Sequence, residues 1–307
     1  MLSLNLMKGI YSMVRTILVL VALLMAASLS NELGAQTTRR SPVQGDTTLV
    51  EENPMEWAWR GDFRPFLEAN YGIGTPKHKA FATDFSEVGA VEVKLGLTEI
   101  KQFQDHIYSL DDRYLYGGII SKDVHYNYDD VGAEVSKATR FGTGNRMGYG
   151  YRAGSFDFLP YAFLSLAWTN IDSGSTAGLS SQEIELLGRY QGPFRFGQVS
   201  EAGVKVGLFK TISLIGGYEY AVIFPRHLFG KWLGSFTLQS FGYSAINFYG
   251  ERIVSASPIL GPLLYFVLQN GITYVFYWQM RDSMNWPFKT ETPLTFESLK
   301  LGVSITF

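Results

Sequence analysis

The sequence predicts an all-β fold in which about ten to twelve antiparallel strands close into a barrel. Three observations predict it. Segments of strictly alternating apolar and polar residues recur along the chain, separated by Gly, Pro, Asn and Ser clusters. No regular helix–strand alternation intervenes, so a parallel α/β fold has no support. Aromatic residues make up 15% of the chain and glycine 32 of 307 residues, while mean hydropathy is close to neutral at +0.03. A helical membrane protein would be more apolar, whereas barrel strands pair an apolar wall with a polar one.

The segments follow in order. Over residues 63–73, Phe63, Pro65, Leu67, Ala69, Tyr71 and Ile73 share one face, and Arg64, Glu68 and Asn70 the other. Gly74, Thr75 and Pro76 then break the pattern. Val91, Val93, Leu95 and Leu97 oppose Glu92, Lys94 and Gly96. Residues 113–121 form a weaker candidate, and residues 123–143 read as a long polar loop. Met147 to Tyr151 alternates with Gly148 and Gly150, and residues 158–169 are apolar on both faces. Ile184, Leu186, Gly188 and Tyr190 oppose Glu183, Glu185 and Arg189, which reads as a further strand. Residues 199–208 set Glu201, Gly203 and Lys205 against Ala202, Val204 and Val206. A short turn near Lys210 leads into residues 212–224, with Glu219 on the polar face.

Residues 226–281 are harder to read. Leu228, Phe229, Trp232, Leu233 and Phe236 have near-helical spacing, compatible with a short helix inside the barrel or at its rim. No charge lies between Arg252 and Arg281, a run long enough for a membrane helix. Leu264, Phe266, Leu268, Ile272, Tyr274, Phe276, Trp278 and Met280 nevertheless keep one parity. They are largely aromatic or β-branched, with Gln269-Asn270-Gly271 as an interruption. Strands are therefore expected there. About 245 residues at roughly 20–25 per strand give the expected ten to twelve.

Both ends of the chain carry an address. Lys8 and Arg15 precede the apolar run of residues 17–27, with small and polar residues through Ala35. That run is too short to span a bilayer as a helix, which needs about 20 residues. The layout is that of a secretory signal over residues 1–35, cleaved after Ala35 or near Ser28 or Ser30; an uncleaved anchoring helix is the alternative. Residues 36–60 are polar and aperiodic, an extended periplasmic lead, and residues 61–307 form one unit. At the other end Leu299, Leu301, Val303, Ile305 and Phe307 alternate with Lys300, Gly302, Ser304 and Thr306. This closing strand, ending on phenylalanine, resembles the insertion signal of bacterial outer-membrane β-barrel proteins. The resemblance implies a transmembrane barrel in the bacterial outer membrane, with lipid and the outer-membrane assembly machinery as partners. Leu299, Leu301, Val303, Ile305 and Phe307 would be the assembly signal. It implies closure as well, because unpaired backbone amides in lipid cost several kcal/mol each.

Little chemistry is visible. The chain has no cysteine, which removes thiol nucleophiles, disulfides, Cys-based zinc sites and a lipid-modified N-terminal Cys. The four histidines, His78, His106, His125 and His227, have no metal-ligand spacing and read as solvated loop residues. Gly72-Ile73-Gly74 and Gly142-Thr143-Gly144 lack the Lys-Ser/Thr of a phosphate loop. His125 with Asp123, Asp129 and Asp130 is the nearest approach to a catalytic cluster. No enzyme activity, cofactor or metal is expected, and a formal charge of −2 with no basic patch argues against nucleic acid.

The charges on polar strand faces are more informative. Glu68, Glu92, Lys94, Glu183, Glu185, Arg189, Glu201, Lys205 and Glu219 are the candidates to face the lumen. Buried charges must be paired or wet. The lumen is then either a narrow passive conduit for small polar solutes, mildly cation-leaning, or a closed salt-bridged interior in a structural or surface-interaction barrel. A membrane-embedded hydrolase is a third, weaker reading. A monomer is expected.

Overall fold

A computed structural model describes residues 63–307, apart from 83, 105, 125–134, 155, 175, 177 and 210. The signal (1–35) and the whole of the polar lead (36–60) expected from the sequence lie outside these residues, as do His125, Asp129 and Asp130.

Eight strands form the barrel: β1 (Arg64–Lys77), β2 (Val88–Gln104), β3 (Ile107–Ser121), β4 (Val135–Ala153), β5 (Phe156–Ser173), β6 (Arg195–Gly207), β7 (Ile212–Ile223) and β8 (Leu294–Thr306). Each pairs antiparallel with its sequence neighbours, and β8 returns to β1. Leu67 lies opposite Ile305 and Tyr71 opposite Leu301 at the closing seam. Helices occupy two of the connections: α1 (Ser181–Gly188) between β5 and β6, and α2 (Phe229–Ala256) with α3 (Gly261–Met280) between β7 and β8.

The strand count corrects the expected ten to twelve. Strands run from 12 residues in β7 to 19 in β4, and all but β7 extend past the alternating cores seen in the sequence. Residues 113–121 belong to β3, and β4 begins inside the expected loop at Val135. The chain also spends 28 residues on α2 and 20 on α3. Residues 264–280 are therefore helix, not strand. The buried face of α3 steps through Tyr265, Gln269, Thr273 and Tyr277, a four-residue period that two polar members hide from a search for apolar residues. Residues 181–188 are also helical: Ser180 and Glu183 form a reciprocal capping box that fixes the first turn.

The two ends of the barrel differ. Short turns join β2–β3, β4–β5 and β6–β7 at the end where the barrel's first strand begins and its last strand ends. The β4–β5 turn uses Gly154 at φ +65°, which a side chain would strain. The four long connections emerge at the opposite end.

Two walls follow from the pleat. Outward residues on β8, β1, β2 and β3 are large, apolar and open: Leu95, Leu115 and Leu301 are 61%, 66% and 68% exposed. Outward residues on β5 and β6 are buried or half-buried, because α3 lies against the outside of β4 to β7 and α2 packs on α3. That cover explains why residues 158–169 are apolar on both faces. The helical segment expected inside the barrel or at its rim is instead one arm of a long hairpin on its outer wall. Among the described residues no helix is long and apolar enough to cross a membrane by itself.

Candidate functional site

The inner wall holds ten buried charged side chains among the described residues: Glu68, Glu92, Asp112, Glu201 and Glu219 against Lys94, Arg140, Arg146, Lys205 and Lys300. Alternation puts each on the inward face of its strand, and register sets the partners. Glu68 lies opposite Lys94 on the neighbouring strand, and Asn70 opposite Glu92. Glu201 faces Glu219 directly across β6–β7, a like-charge pairing that is unfavourable unless cations intervene.

Cations do intervene. Arg146 donates from Nη1 and Nη2 to both oxygens of Glu68 at 2.8 Å each, and from Nη1 to Asp112 Oδ2 at 3.1 Å. Asn70 Nδ2 donates to Glu68 at 2.9 Å. Lys94 Nζ sits 3.2 Å from Glu68, 3.5 Å from Glu92 and 3.6 Å from Glu201. Arg140 reaches Glu92 at 3.2 Å and Glu219 at 2.8 Å. Lys300 is 3.0 Å from Glu92 and also bonds Glu219. Lys205 stands 3.9 Å from Asp112. Lys94 thus joins a cluster around Arg146 to one around Arg140 and Lys300.

Aromatic side chains fill the remaining space. The Arg146 guanidinium lies 4.6 Å from the Tyr161 ring, and Lys94 Nζ lies 5.0 Å from that of Phe163. Tyr161 donates its hydroxyl to Glu201, and Tyr116 exchanges a hydrogen bond with Ser165 at 3.0 Å. Glycine makes this crowding feasible: a Cβ on Gly203 would come within 2.4 Å of the Tyr161 ring. An open aqueous conduit would leave these groups wet, yet all ten charges are buried.

Six residues expected in the lumen, Glu68, Glu92, Lys94, Glu201, Lys205 and Glu219, sit there together. Glu183, Glu185 and Arg189 do not, because their segment forms α1 and its C-terminal cap in a long connection. Glu183 is buried and accepts hydrogen bonds from Ser180 N and Ala82 N, both at 2.8 Å, pinning two connections together. Glu185 and Arg189 form an exposed pair four residues apart at 3.1 Å. The expected excess of acids is corrected too, since the described interior holds five acids and five bases. Asp112, Arg140 and Arg146 were missed in the sequence, and Lys300 was placed on the polar wall of the last strand without being counted. The signal was parity: Arg140 and Arg146 are in step with Gly142, Gly144, Gly148 and Gly150, and Asp112 with Tyr114 and Tyr116.

The long-connection end is ordered by further contacts. His78 is buried rather than solvated, edge-on to Phe81 at 5.2 Å and Tyr190 at 6.2 Å, and this burial lowers the imidazole pKa. His106 and His227 are exposed. A cleft of about 460 Å³ runs beside residues 75–79, Phe81, Phe85 and Arg281. Lys77 pairs with Glu297 at 2.7 Å, Lys79 with Asp282, and Arg226 with Glu291 at 2.9 Å. No group of three or more potential metal ligands occurs among the described residues. The barrel's final strand turns Leu299, Leu301, Val303 and Ile305 outward, and Phe307 N donates to Pro65 O at 2.9 Å.

A closed antiparallel ring with an apolar belt outside and paired charges inside satisfies every demand that lipid makes on a backbone. The architecture is a closed eight-stranded antiparallel β-barrel with an apolar outer wall. No family model and no curated protein matches the sequence. Among solved structures, the chain is similar to Neisserial surface protein A, at 11% identity and TM-score 0.34 over 79% of this chain and 97% of that one. It is also similar to Ail, the attachment invasion locus protein of Yersinia pestis, at 8% identity and TM-score 0.28 over 80% and 98%. The translocator domain of the autotransporter NalP from Neisseria meningitidis gives 12% identity and TM-score 0.20 over 82% and 92%.

Proposed function

We propose that this protein is a sealed barrel of the bacterial outer membrane whose work is structural and surface-directed: a rigid post that presents its long-connection end. The observation that carries this reading is the interior lattice of ten buried, mutually compensating charges. Breaking a buried pair by removing one partner costs about 3–5 kcal/mol. Opening a path through the lattice would separate several pairs, so passive conduction is the weaker reading. The belt of Leu95, Leu115 and Leu301 supports the membrane location.

The surface reading draws on the ordered end. Capping at Ser180 and Glu183, the Glu183 bond to Ala82 and the ion pairs on Glu297, Asp282 and Glu291 preorganise that end around its cleft. Loops held in one shape bind partners without paying for their ordering. Planar-bilayer recording of refolded protein, verified by a heat-modifiable gel band, tests the proposal. Silence is expected; steady, uniform conductance steps would restore the conduit.

A further inference from the structure

The hairpin of α2 and α3 leaves and rejoins the barrel at its long-connection end, yet it runs the full height of the outer wall. Trp232 meets Phe196, near the start of β6, with ring centroids 5.2 Å apart. At the other end Val254 and Ile246 pack with Ile107, the first residue of β3, and Tyr151 donates its hydroxyl to Ile259 O at 2.6 Å. The chain then climbs back, with Tyr265 on Tyr149 at 4.9 Å and Tyr277 on Tyr220 at 4.9 Å. At 20 residues, α3 is about 30 Å long, matching a hydrocarbon core of about 30 Å.

Charge placement fits the same path. No Asp, Glu, Lys or Arg occurs from Trp232 to Gly250 or from Ile253 to Met280. Lys231 and Arg281 bracket these runs at the long-connection end, and Glu251 with Arg252 at the other. Within the runs the amide side chains and Thr273 turn inward, while the exposed Thr237 donates its hydroxyl back to Leu233 O at 2.8 Å. Gln239, Gln269 and Thr273 are buried; Gln239 Nε2 donates to Ser235 Oγ at 3.3 Å, Gln269 Nε2 to Tyr265 Oη at 2.9 Å, and Thr273 bonds Tyr243. Asn270 Nδ2 donates to Tyr161 O in the barrel wall at 3.3 Å. The wall answers with Gln198 and Ser200, outward-facing but buried. Gly242 allows close approach, since a Cβ there would meet Ile272 at 2.5 Å. The outer face is mainly apolar, with Thr237 and Ser244 as its small hydroxyls: Leu233, Phe241, Phe248, Leu264, Val267 and Tyr274 are exposed and continue the belt of the bare strands.

We infer that the β7–β8 connection is a membrane-traversing helical hairpin. Its outer face is solvated by lipid acyl chains, and its tip at residues 257–260 lies across the membrane from the other long connections. The inference rests on the membrane reading above. Charge-free helices whose buried Gln239, Gln269 and Thr273 bond within the hairpin, and whose Asn270 bonds the wall, cross as one body with the barrel.

The chain has no cysteine, so single-cysteine variants are free of background. Ala256→Cys at the tip, Lys289→Cys at the long-connection end and Thr211→Cys at a short turn all stand at exposed positions. A membrane-impermeant maleimide is applied to intact cells and again after outer-membrane permeabilisation. Ala256→Cys is expected to label like Thr211→Cys, only after permeabilisation, whereas Lys289→Cys labels on intact cells. Labelling of Ala256→Cys alongside Lys289→Cys overturns the inference, as does a failure to label from either side until detergent is added. If Lys289→Cys and Thr211→Cys themselves show no sidedness, the membrane reading fails first.

Discussion

Arg146 joins three strands through two carboxylates and two rings, bonding Glu68 and Asp112 while stacking between Tyr114 and Tyr161. It has no access to solvent, so its loss leaves Glu68 buried without its bidentate partner. Arg146→Met is expected to lower unfolding free energy by about 3–5 kcal/mol. Adding Glu68→Gln should recover a large part of that, since the stranded charge is then gone. Denaturant titration of the folded barrel in lipid measures both, and additive losses would contradict direct coupling. Arg146 was legible only in part. Its step with Gly148 and Gly150 was visible, but placing residues 123–143 in a loop removed Arg140, the other half of the pattern.

The final strand and the hairpin show two kinds of legibility. β8 was readable because one wall is open and apolar and the other meets the interior, so period two is unmixed. Leu301→Arg should cost about 2–4 kcal/mol, measured by the same titration, if its wall faces the bilayer near midplane. A neutral substitution there would place that wall elsewhere. Deleting Phe307 is expected to reduce the yield of folded, membrane-inserted protein, read from the heat-modifiable band; unchanged yield contradicts a role in assembly. α3 was misread because its buried face mixes Tyr265, Gln269, Thr273 and Tyr277 while apolar residues such as Leu264 and Val267 occupy the exposed side. Hydrophobic periodicity assumes that the apolar face is the buried one, and α3 departs from that assumption. α1 was misread for a different reason: over eight residues a capping box can outweigh alternation.

For the whole molecule, the two-walled strands and six of the ten interior charges could be read from alternation, while barrel closure followed from the resemblance carried by the last strand. Strand number could not, because it depends on how far each strand extends past its alternating core and on how many residues leave the sheet. Nor could the state of the lumen. Whether inward charges are wet or paired depends on shear and on which strands face one another, and these emerge only when the ring closes. The interior lysines give the most direct test of the central claim that the ring is sealed by its own ion pairs. Folded protein is treated with a small water-soluble amine reagent, and modified lysines are mapped by mass spectrometry. Lys101 and Lys231, both exposed, should react, while Lys94, Lys205 and Lys300 stay unmodified until the barrel is unfolded. Modification of Lys94 and Lys300 in protein that still runs as the folded band would show that water reaches the lattice, and the sealed interior would be wrong.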